Sequence, residues 1–338
     1  MKLEVVLILL CVVIILIMLF KCYIELEFFE LGFFGFDDKV LSNDNRLDYY
    51  MGNLKYKTTI TKSDINKNIN KNISIISNEF LKNYHSTGNI YFDEIFQLYN
   101  NNNYKNNKNI IFKSGDVNIS YDIPTITKTA PIDRGFNVIL NLDKNRHWDS
   151  IKEVKLYDIP FNEKNDKLIW RGVTTNIKKR LPFVKRYIDN NKMDIGFNKI
   201  GNGVEKTKEL ELLLKPLISI KNMLKSRFLI SIEGNDVATN LKWILYSNSV
   251  CLKSQPTIIS WLMEDKLIPW YHYVPLEPDY SDIEEKYEWC LNNLKKCDQI
   301  SKNATKYIKV FLNDENEEFL MNQIFKRYTE LVDLTISK

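Results

Sequence analysis

A strand, a tight turn, a helix and a second strand follow one another in the second half of the chain, and this order constrains the fold most. Phe228–Ile232 is a short apolar run that ends at the turn-forming cluster Glu233–Asp236. Ala238–Tyr246 carries apolar residues at helical spacing, and Ser249–Leu252 is a second apolar run. The order is typical of the βαβ unit of a parallel sheet. Since a helix after Gly234 would offer free N–H groups to an anion, we expect a phosphate-bearing ligand there.

The same alternation extends to both sides of this unit. Helical spacing predicts one or two helices within Ile75–Tyr99, a basic helix ending near Tyr187 and three helices within Asp282–Leu334. Repeated strand–turn–helix units predict an α/β fold. Apolar runs bounded by turn residues predict the other strands, which are Ile110–Lys113, Thr125–Thr127, Val138–Leu142, Leu168–Trp170, Asp194–Phe197 and Tyr271–Leu276.

The N-terminus begins with an apolar run, Val5–Phe20, flanked by Lys2 and Lys21. The run is just long enough to span the hydrocarbon core of a bilayer as a helix. No small-x-small cleavage site precedes the bulky residues that begin at Tyr23. We therefore expect a transmembrane signal anchor over residues 1–24, with a cleaved signal peptide as the alternative.

Acidic and basic residues are nearly balanced, 43 against 47, and are well mixed along the chain. This distribution lacks the basic stripe of a nucleic-acid-binding protein, so we expect no nucleic-acid partner. His85, His147 and His272 lie far apart, and no Cys/His spacing resembles a metal cluster. We therefore expect no metal site.

Short motifs in a fixed order carry a resemblance to a known family. The motifs EGNDVATNLKW, SNSV, PWYHYVPL and SDIEEKYEWC follow one another in the second half. Upstream of them come KSGDVNISYDIPTITKTAPI, LDKNRHW, IPFNEKNDKLIWRG and DIGF. The ordered set, over roughly Ile110–Tyr328, resembles glycosyltransferase family 90, which includes lipopolysaccharide-modifying and capsule-associated enzymes and the Rumi-type protein O-glucosyltransferases.

The resemblance implies a GT-B-like fold, in which two Rossmann-like domains face one another across a cleft and the second holds the nucleotide sugar. The predicted division of the chain is an anchor over 1–24, a stem and Asn-rich part of the first domain over 25–109, the rest of that acceptor-side domain over 110–166, and the second domain with the C-terminal helices over 167–334.

The resemblance also implies an activity. We expect an inverting, membrane-anchored glycosyltransferase that moves glucose or xylose from a UDP-sugar to a hydroxyl of a protein, glycan or lipid. The predicted location is a membrane of endoplasmic reticulum or Golgi type, crossed once. The chain contains no Asp-x-Asp string, so we expect metal-independent transfer with the UDP-sugar as substrate and no cofactor. The alternative is a degenerate family member that binds carbohydrate or acts as a scaffold.

Positive charge must stabilise the departing diphosphate, and arginine pairs well with phosphate oxygens. By resemblance Arg180 faces the diphosphate, although it also belongs to a basic run that could be surface. Arg171 follows a strand end and could instead pack the cleft wall, and Lys242 lies near the place of an arginine in animal members. The predicted nucleotide-sugar-binding residues are Arg171, Gly172, Thr174, Arg180, Glu233, Gly234, Asn235, Thr239, Lys242, Ser249 and Glu264.

An inverting transfer needs a carboxylate to deprotonate the acceptor hydroxyl. Asp116 follows the predicted strand Ile110–Lys113, where animal relatives place an aspartate, and we predict it as the catalytic base. Asp143 and Asp158 are alternatives for the base, and each could instead be an ordinary turn aspartate. His272 flanks the cleft by resemblance, with a hydrogen-bonded core histidine as the alternative.

Overall fold

The computed structural model describes residues 36–68, 71, 73–77, 88–101 and 109–335, together with residues 12, 13, 15 and 16. Of the predicted anchor, Val5–Phe20, all residues but 12, 13, 15 and 16 lie outside these described residues. Within the part of the chain that is described, no helix has both the length and the apolar character needed to cross a membrane.

The strands form two larger sheets and two pairs. A four-stranded sheet has the order β2–β3–β4–β6, a five-stranded sheet has the order β12–β10–β9–β7–β8, and β1 pairs with β13 and β5 with β11. In chain order the strands are β1 (Thr58–Thr61), β2 (Ser74–Ile76), β3 (Ile110–Phe112), β4 (Tyr121–Thr127), β5 (Thr129–Pro131), β6 (Gly135–Ile139), β7 (Asn165–Val173), β8 (Met193–Lys199), β9 (Ser226–Ile230), β10 (Val250–Ser254), β11 (Ile258–Ser260), β12 (Val274–Leu276) and β13 (Val332–Thr335).

Helices alternate with these strands, which confirms the predicted α/β class. They are α1 (Asn43–Met51), α2 (Lys62–Asn68), α3 (Ile90–Asn101), α4 (Lys144–Trp148), α5 (Ser150–Tyr157), α6 (Ile177–Tyr187), α7 (Lys208–Leu212), α8 (Ile220–Met223), α9 (Leu241–Tyr246), α10 (Ile283–Asn292), α11 (Leu294–Lys309) and α12 (Asp314–Leu331).

The five-stranded sheet is wholly parallel. β7 and β9 are neighbours although β8 lies between them in the chain, so the direction of winding reverses at this pair. The sheet separates two apolar cores, since Phe228 and Ile230 pack into one and Leu229 into the other. Burial on both faces explains why β9 is a continuous apolar run. The predicted βαβ unit is confirmed as β9, α9 and β10.

The helix of this unit is shorter than its apolar spacing predicted. It begins at Leu241 and not at Ala238, and residues 233–240 form a loop, here called the site loop. The Asn240 side chain donates to the Ile230 carbonyl at 3.1 Å and accepts from the Ser231 hydroxyl at 3.0 Å. These bonds hold the end of the loop against the end of β9, so the helix starts only after Asn240.

Contacts across the chain join the two larger sheets. Strands β5 and β11 pair antiparallel, with Thr129 opposite Ser260 and Pro131 opposite Ile258. Sequence patterns did not predict these strands, nor β1, β2 and β13, each of which has only three or four residues. Residues Ile75 and Ile76 were expected in a helix, and they lie in β2.

The last helix returns to the four-stranded sheet. Tyr328 of α12 donates its hydroxyl to the Pro124 carbonyl at 3.0 Å, and Arg46 of α1 pairs with Glu317 of α12. The predicted domain boundary at residue 167 stays a prediction. By these contacts, however, α12 packs against elements that precede the boundary.

Candidate functional site

A cavity of about 320 Å³ opens at the carboxyl ends of β7 and β9, where the winding of the five-stranded sheet reverses. Ligands of open parallel sheets bind at this place because the connecting loops diverge there. The site loop forms one wall, and Asp116 and Arg146 contribute to another. Seven of the predicted site residues line the cavity, namely Asp116, Arg171, Gly172, Arg180, Gly234, Asn235 and Thr239.

Arg180, on α6, brings a buried positive charge to the cavity. Its guanidinium donates only to uncharged oxygens, and no carboxylate among the described residues pairs with it. Burial lowers the pKa of Arg180 to about 10, so the side chain stays charged at neutral pH. The acceptors, at 2.7 to 3.2 Å, are the carbonyls of Val173, Ile232 and Glu233 and the Thr175 hydroxyl.

Gly234 of the site loop lies against this guanidinium. A Cβ at Gly234 would lie 3.3 Å from Arg180 Nη2 and 3.4 Å from Thr175 Oγ1. Any side chain here would crowd the arginine, which explains the use of glycine. The N–H of Gly234 donates to the Asp236 carbonyl at 2.9 Å. The N–H of Gly234 itself is therefore not free, and the helix that was expected soon after Gly234 begins only at Leu241.

On the opposite wall, Asp116 forms a cluster with a buried lysine. Lys128 Nζ donates to Asp116 Oδ1 at 2.9 Å and lies 3.1 Å from Asp236 Oδ2. Arg146 Nη1 lies 3.8 Å from Asp116 Oδ1 and 3.7 Å from Asp143 Oδ2. The Asp116 side chain keeps 30% of its surface exposed, whereas Lys128 keeps 2%.

The two carboxylates of this cluster titrate differently. Burial alone would raise the pKa of Asp116, but the hydrogen bond and charge of Lys128, with help from Arg146, lower it overall. Burial dominates at Asp236, whose pKa rises to about 6. Near neutral pH both carboxylates are ionised, and Asp116 is the one that solvent reaches.

Arg171 lines the cavity, but its charge is neutralised. Its Nη2 donates to Asp194 Oδ1 at 2.6 Å, and its Nη1 donates to the Asp194 carbonyl at 2.9 Å. These bonds support the alternative role of Arg171, which is to pack the wall of the cleft. Thr174 is fully buried, and its hydroxyl accepts from the Gly201 N–H at 2.9 Å. A Cβ on Gly172 would lie 2.5 Å from the Trp170 ring, so this glycine makes room for the tryptophan.

Two predicted residues of the site loop hold the loop in place. Glu233 pairs with Lys179 at 2.8 Å and accepts from the N–H and the hydroxyl of Thr257 at 2.8 and 2.6 Å. Asn235 accepts from the Asn176 N–H at 3.2 Å, and its carbonyl accepts from Asn118 Nδ2 at the same distance. The loop is thus tied both to α6 and to the segment after β3.

Lys242 and Glu264 lie outside the cavity. Lys242 is 2% exposed, and its Nζ has no hydrogen-bond partner among the described residues. Its ion-pair partner, an oxygen of Glu264, is 3.9 Å away. Glu264 accepts from the N–H and the hydroxyl of Ser260, each at 2.6 Å. Burial lowers the pKa of Lys242 and raises that of Glu264. Neither side chain reaches the space beside Arg180.

Ser249 directly precedes β10, so it lies at the amino ends of the strands and away from the cavity at their carboxyl ends. Its hydroxyl donates to the Ser226 carbonyl. His272 accepts from the Ile268 N–H at 2.9 Å and packs on Phe36, as the core-histidine alternative expected.

The two alternative aspartates do not line the cavity. Asp143 accepts from the Tyr91 hydroxyl at 3.1 Å, and Asp158 accepts from the Asn248 N–H at 2.7 Å and pairs with Lys164. Of the three aspartates considered, only Asp116 is a cavity residue.

The model of the family described as "Glycosyl transferase family 90" matches residues 142–338. The chain belongs to glycosyl transferase family 90. The match confirms the predicted family and the predicted class of enzyme, a glycosyltransferase.

Curated relatives agree with this family. The O-glucosyltransferase LpsA of Dichelobacter nodosus is 32% identical over 223 residues, 65% of this chain and 66% of the relative. Protein O-glucosyltransferase 2 of Danio rerio is 26% identical over 174 residues, 51% of this chain and 34% of the relative. The uncharacterized protein 035R of Invertebrate iridescent virus 3 is 30% identical over 109 residues, 30% of this chain and 10% of the relative. The chain thus spans about two thirds of the bacterial relative and less of the others.

In this family 90 chain, sequence reasoning missed three charged residues of the cavity and of the Asp116 cluster: Lys128, Arg146 and Asp236. A signal did exist for Lys128, since a lone lysine between the buried runs of β4 and β5 needs a charged partner. Asp236 had only turn-forming chemistry to mark it, because its partner Lys128 is far away in sequence.

Proposed function

We propose that this protein is an inverting glycosyltransferase that moves glucose or xylose from a UDP-sugar to a hydroxyl of a protein, glycan or lipid. The single observation that carries the proposal is Arg180. It supplies a buried cation without a carboxylate partner among the described residues, at the carboxyl edge of a parallel sheet. Such a cation suits the negative charge of a diphosphate in a site that excludes water.

The proposed reaction assigns a role to each wall of the cavity. Asp116 accepts the proton of the acceptor hydroxyl while that oxygen forms a bond to the anomeric carbon of the sugar. The bond between this carbon and the diphosphate oxygen breaks, and UDP leaves with the electron pair. Arg180 stabilises the charge that develops on UDP. Attack from the face opposite the leaving group inverts the configuration.

Two further features complete the proposal. A GT-B-like architecture would place the acceptor on the side of the four-stranded sheet, where Asp116 lies beyond β3. The apolar run Val5–Phe20 would anchor the protein in a membrane of endoplasmic reticulum or Golgi type. Transfer would need no metal, since arginine side chains offer the positive charge that the diphosphate requires.

Calorimetric titration of the full-length protein in detergent with UDP, in the presence of EDTA, tests the donor and the absence of a metal together. We expect saturable binding, and release of UDP when UDP-glucose or UDP-xylose is supplied. Binding that disappears on chelation and returns with manganese would contradict metal-independent transfer. Binding without any turnover would favour the degenerate, carbohydrate-binding alternative.

A further inference from the structure

Lys128 is a buried residue that contacts two carboxylates of the cavity, Asp116 and Asp236, and its position in the chain explains how it reaches both. It lies between β4 and β5, with its ammonium 2.9 Å from Asp116 Oδ1 and 3.1 Å from Asp236 Oδ2. Asp116 follows β3, whereas Asp236 belongs to the site loop that also contacts Arg180 through Gly234. One lysine therefore touches both the acceptor wall and the loop beside the proposed donor site.

Resting on the proposed function, we propose that Lys128 is a positioning residue for glycosyl transfer. Its ammonium orients and ionises the Asp116 carboxylate and ties the site loop to the base through Asp236. Lys128 does not touch the reacting atoms itself, because its side chain is 2% exposed and does not line the cavity.

Electrostatics explains why a lysine is needed at this place. Asp116 and Asp236 both line a cavity that must accept an anionic diphosphate. Without a cation between them, two carboxylates close to one another would repel each other, and the pKa of the base would rise toward neutral pH. Lys128 removes this conflict at the carboxylates, which leaves the charge of Arg180 for the ligand.

Other groups around Lys128 do not replace it. His147 Nε2 lies 3.5 Å from Lys128 Nζ, and burial lowers the pKa of His147 to about 2, so the ring is neutral. The Tyr91 ring centroid lies 5.8 Å from the ammonium. Arg146 lies 3.8 Å from Asp116, and half of its side chain is exposed to solvent. Lys242 is a second buried cation that also lowers the pKa of His147, and the charge of Lys128 in turn helps to lower the pKa of Lys242.

The pH profile of turnover separates positioning from simple structural support. UDP release from UDP-glucose and from UDP-xylose, with water as the acceptor, is measured from about pH 4.5 to about pH 8 at saturating donor. Loss of a cation within hydrogen-bond distance raises the pKa of a carboxylate by roughly 1–3 units. The pKa of Asp116 is lowered in the unaltered protein, so the acidic limb of its turnover lies below this range. In Lys128→Met we therefore expect the limb to move to higher pH by about that amount and to appear within the range.

Three more variants sharpen the test. Lys128→Gln keeps an N–H donor without the charge, so the acidic limb of its turnover must also move to higher pH. Lys128→Arg keeps the charge, so its limb must stay near that of the unaltered protein. Asp236→Asn leaves Lys128 paired with Asp116, so this variant must show no upward shift. UDP titration of each variant shows whether the site has folded.

Each result decides the proposal. Turnover that falls equally at every pH in Lys128→Met or Lys128→Gln would make Lys128 merely structural. An upward shift in Asp236→Asn, or in Lys128→Arg, would also overturn the proposal. Asp116→Asn is measured beside them. If Asp116→Asn keeps its turnover, the proposed base is wrong and the role of Lys128 falls with it. If Asp116→Asn is inactive while the limb of Lys128→Met does not move, only the inference about Lys128 fails.

Discussion

Two buried arginines of this protein have opposite surroundings. Arg46 of α1 is fully buried and donates to both carboxylate oxygens of Glu317, at 2.7 and 2.6 Å. Arg180 of α6 is also buried, yet it donates to carbonyls and a hydroxyl. Arg46 joins two helices that are distant in sequence, and Arg180 faces a cavity. A neutralised charge serves the scaffold, whereas a charge on neutral acceptors remains available to an anion.

The pKa values of the two side chains follow this difference. Burial alone would lower the pKa of both guanidinium groups. At Arg46 the hydrogen bond and charge of Glu317 reverse that effect, and the pKa is raised. At Arg180 burial prevails, and the pKa falls to about 10. The protein therefore tolerates a desolvated cation at the cavity, where a bound diphosphate would compensate it.

The largest effect is expected at Asp116, which lines the cavity together with Arg180. Asp116→Asn should reduce turnover by roughly 10²–10⁴-fold, because the acceptor loses its base. UDP affinity, measured by calorimetry, should change little. Asp143→Asn is the matched control, since Asp143 does not line the cavity. If Asp143→Asn loses its turnover while Asp116→Asn keeps nearly all of its own, Asp143 and not Asp116 is the base.

Breaking the scaffold pair should cost stability and not affinity. Arg46→Met leaves the Glu317 carboxylate buried without its cation, which costs about 3–5 kcal/mol of unfolding free energy. Denaturant unfolding measures this loss. Arg327→Met is the control on α12, because Arg327 forms a partly exposed pair with Asp48 and should cost at most about 1 kcal/mol. Equal losses in the two variants would remove the distinction between buried and exposed pairs.

Removing the cavity cation should have the reverse pattern. Arg180→Met should weaken UDP binding by roughly 10–150-fold, the equivalent of about 1.5–3 kcal/mol for a hydrogen bond to a charged group. Its effect on stability should be smaller than that of Arg46→Met. Arg186→Met, on the exposed side of α6, provides the control for affinity. An unchanged UDP affinity in Arg180→Met would contradict the proposed donor site.

The smallest effect on UDP is expected from Lys242. Lys242→Met should leave the affinity within about twofold, because the ammonium does not line the cavity. Burial lowers the pKa of Lys242 in the folded state, so the unfolded chain binds this proton more tightly. Stability therefore rises with pH between the lowered pKa and the ordinary one, and the methionine variant should lose this rise. A large loss of UDP affinity would restore Lys242 to the binding site.

The unit of β9, α9 and β10 was predictable because it depends on local patterns. Apolar residues that are contiguous in a buried strand and a turn cluster at Gly234 can be read from neighbouring residues alone. The start of α9 was not predictable, because Asn240 is held by bonds to Ser231 and Ile230, which the period of the helix does not reveal.

The candidate site divides in the same way. Arg180, Gly234 and Asp116 were found from motifs and strand ends, and all three line the cavity. Lys242 was expected there, but every residue of α9 from Leu241 to Leu245 is buried, and Lys242 is packed inside the protein with its neighbours. Helical spacing predicts which residues lie on the polar side of a helix, but it does not show whether that side is exposed to solvent.

By itself, the sequence determined the α/β class, the central βαβ unit and the family, because each depends on residues close together in the chain or on motifs in a fixed order. Only the tertiary structure decided which charges meet. Lys128 reaches Asp236, and Arg46 reaches Glu317 across 271 positions. Ion pairs form between side chains that are neighbours in space, and the order of residues in the chain does not give the distances between them. For the same reason, only the fold distinguishes an arginine that is neutralised from one whose charge faces a cavity.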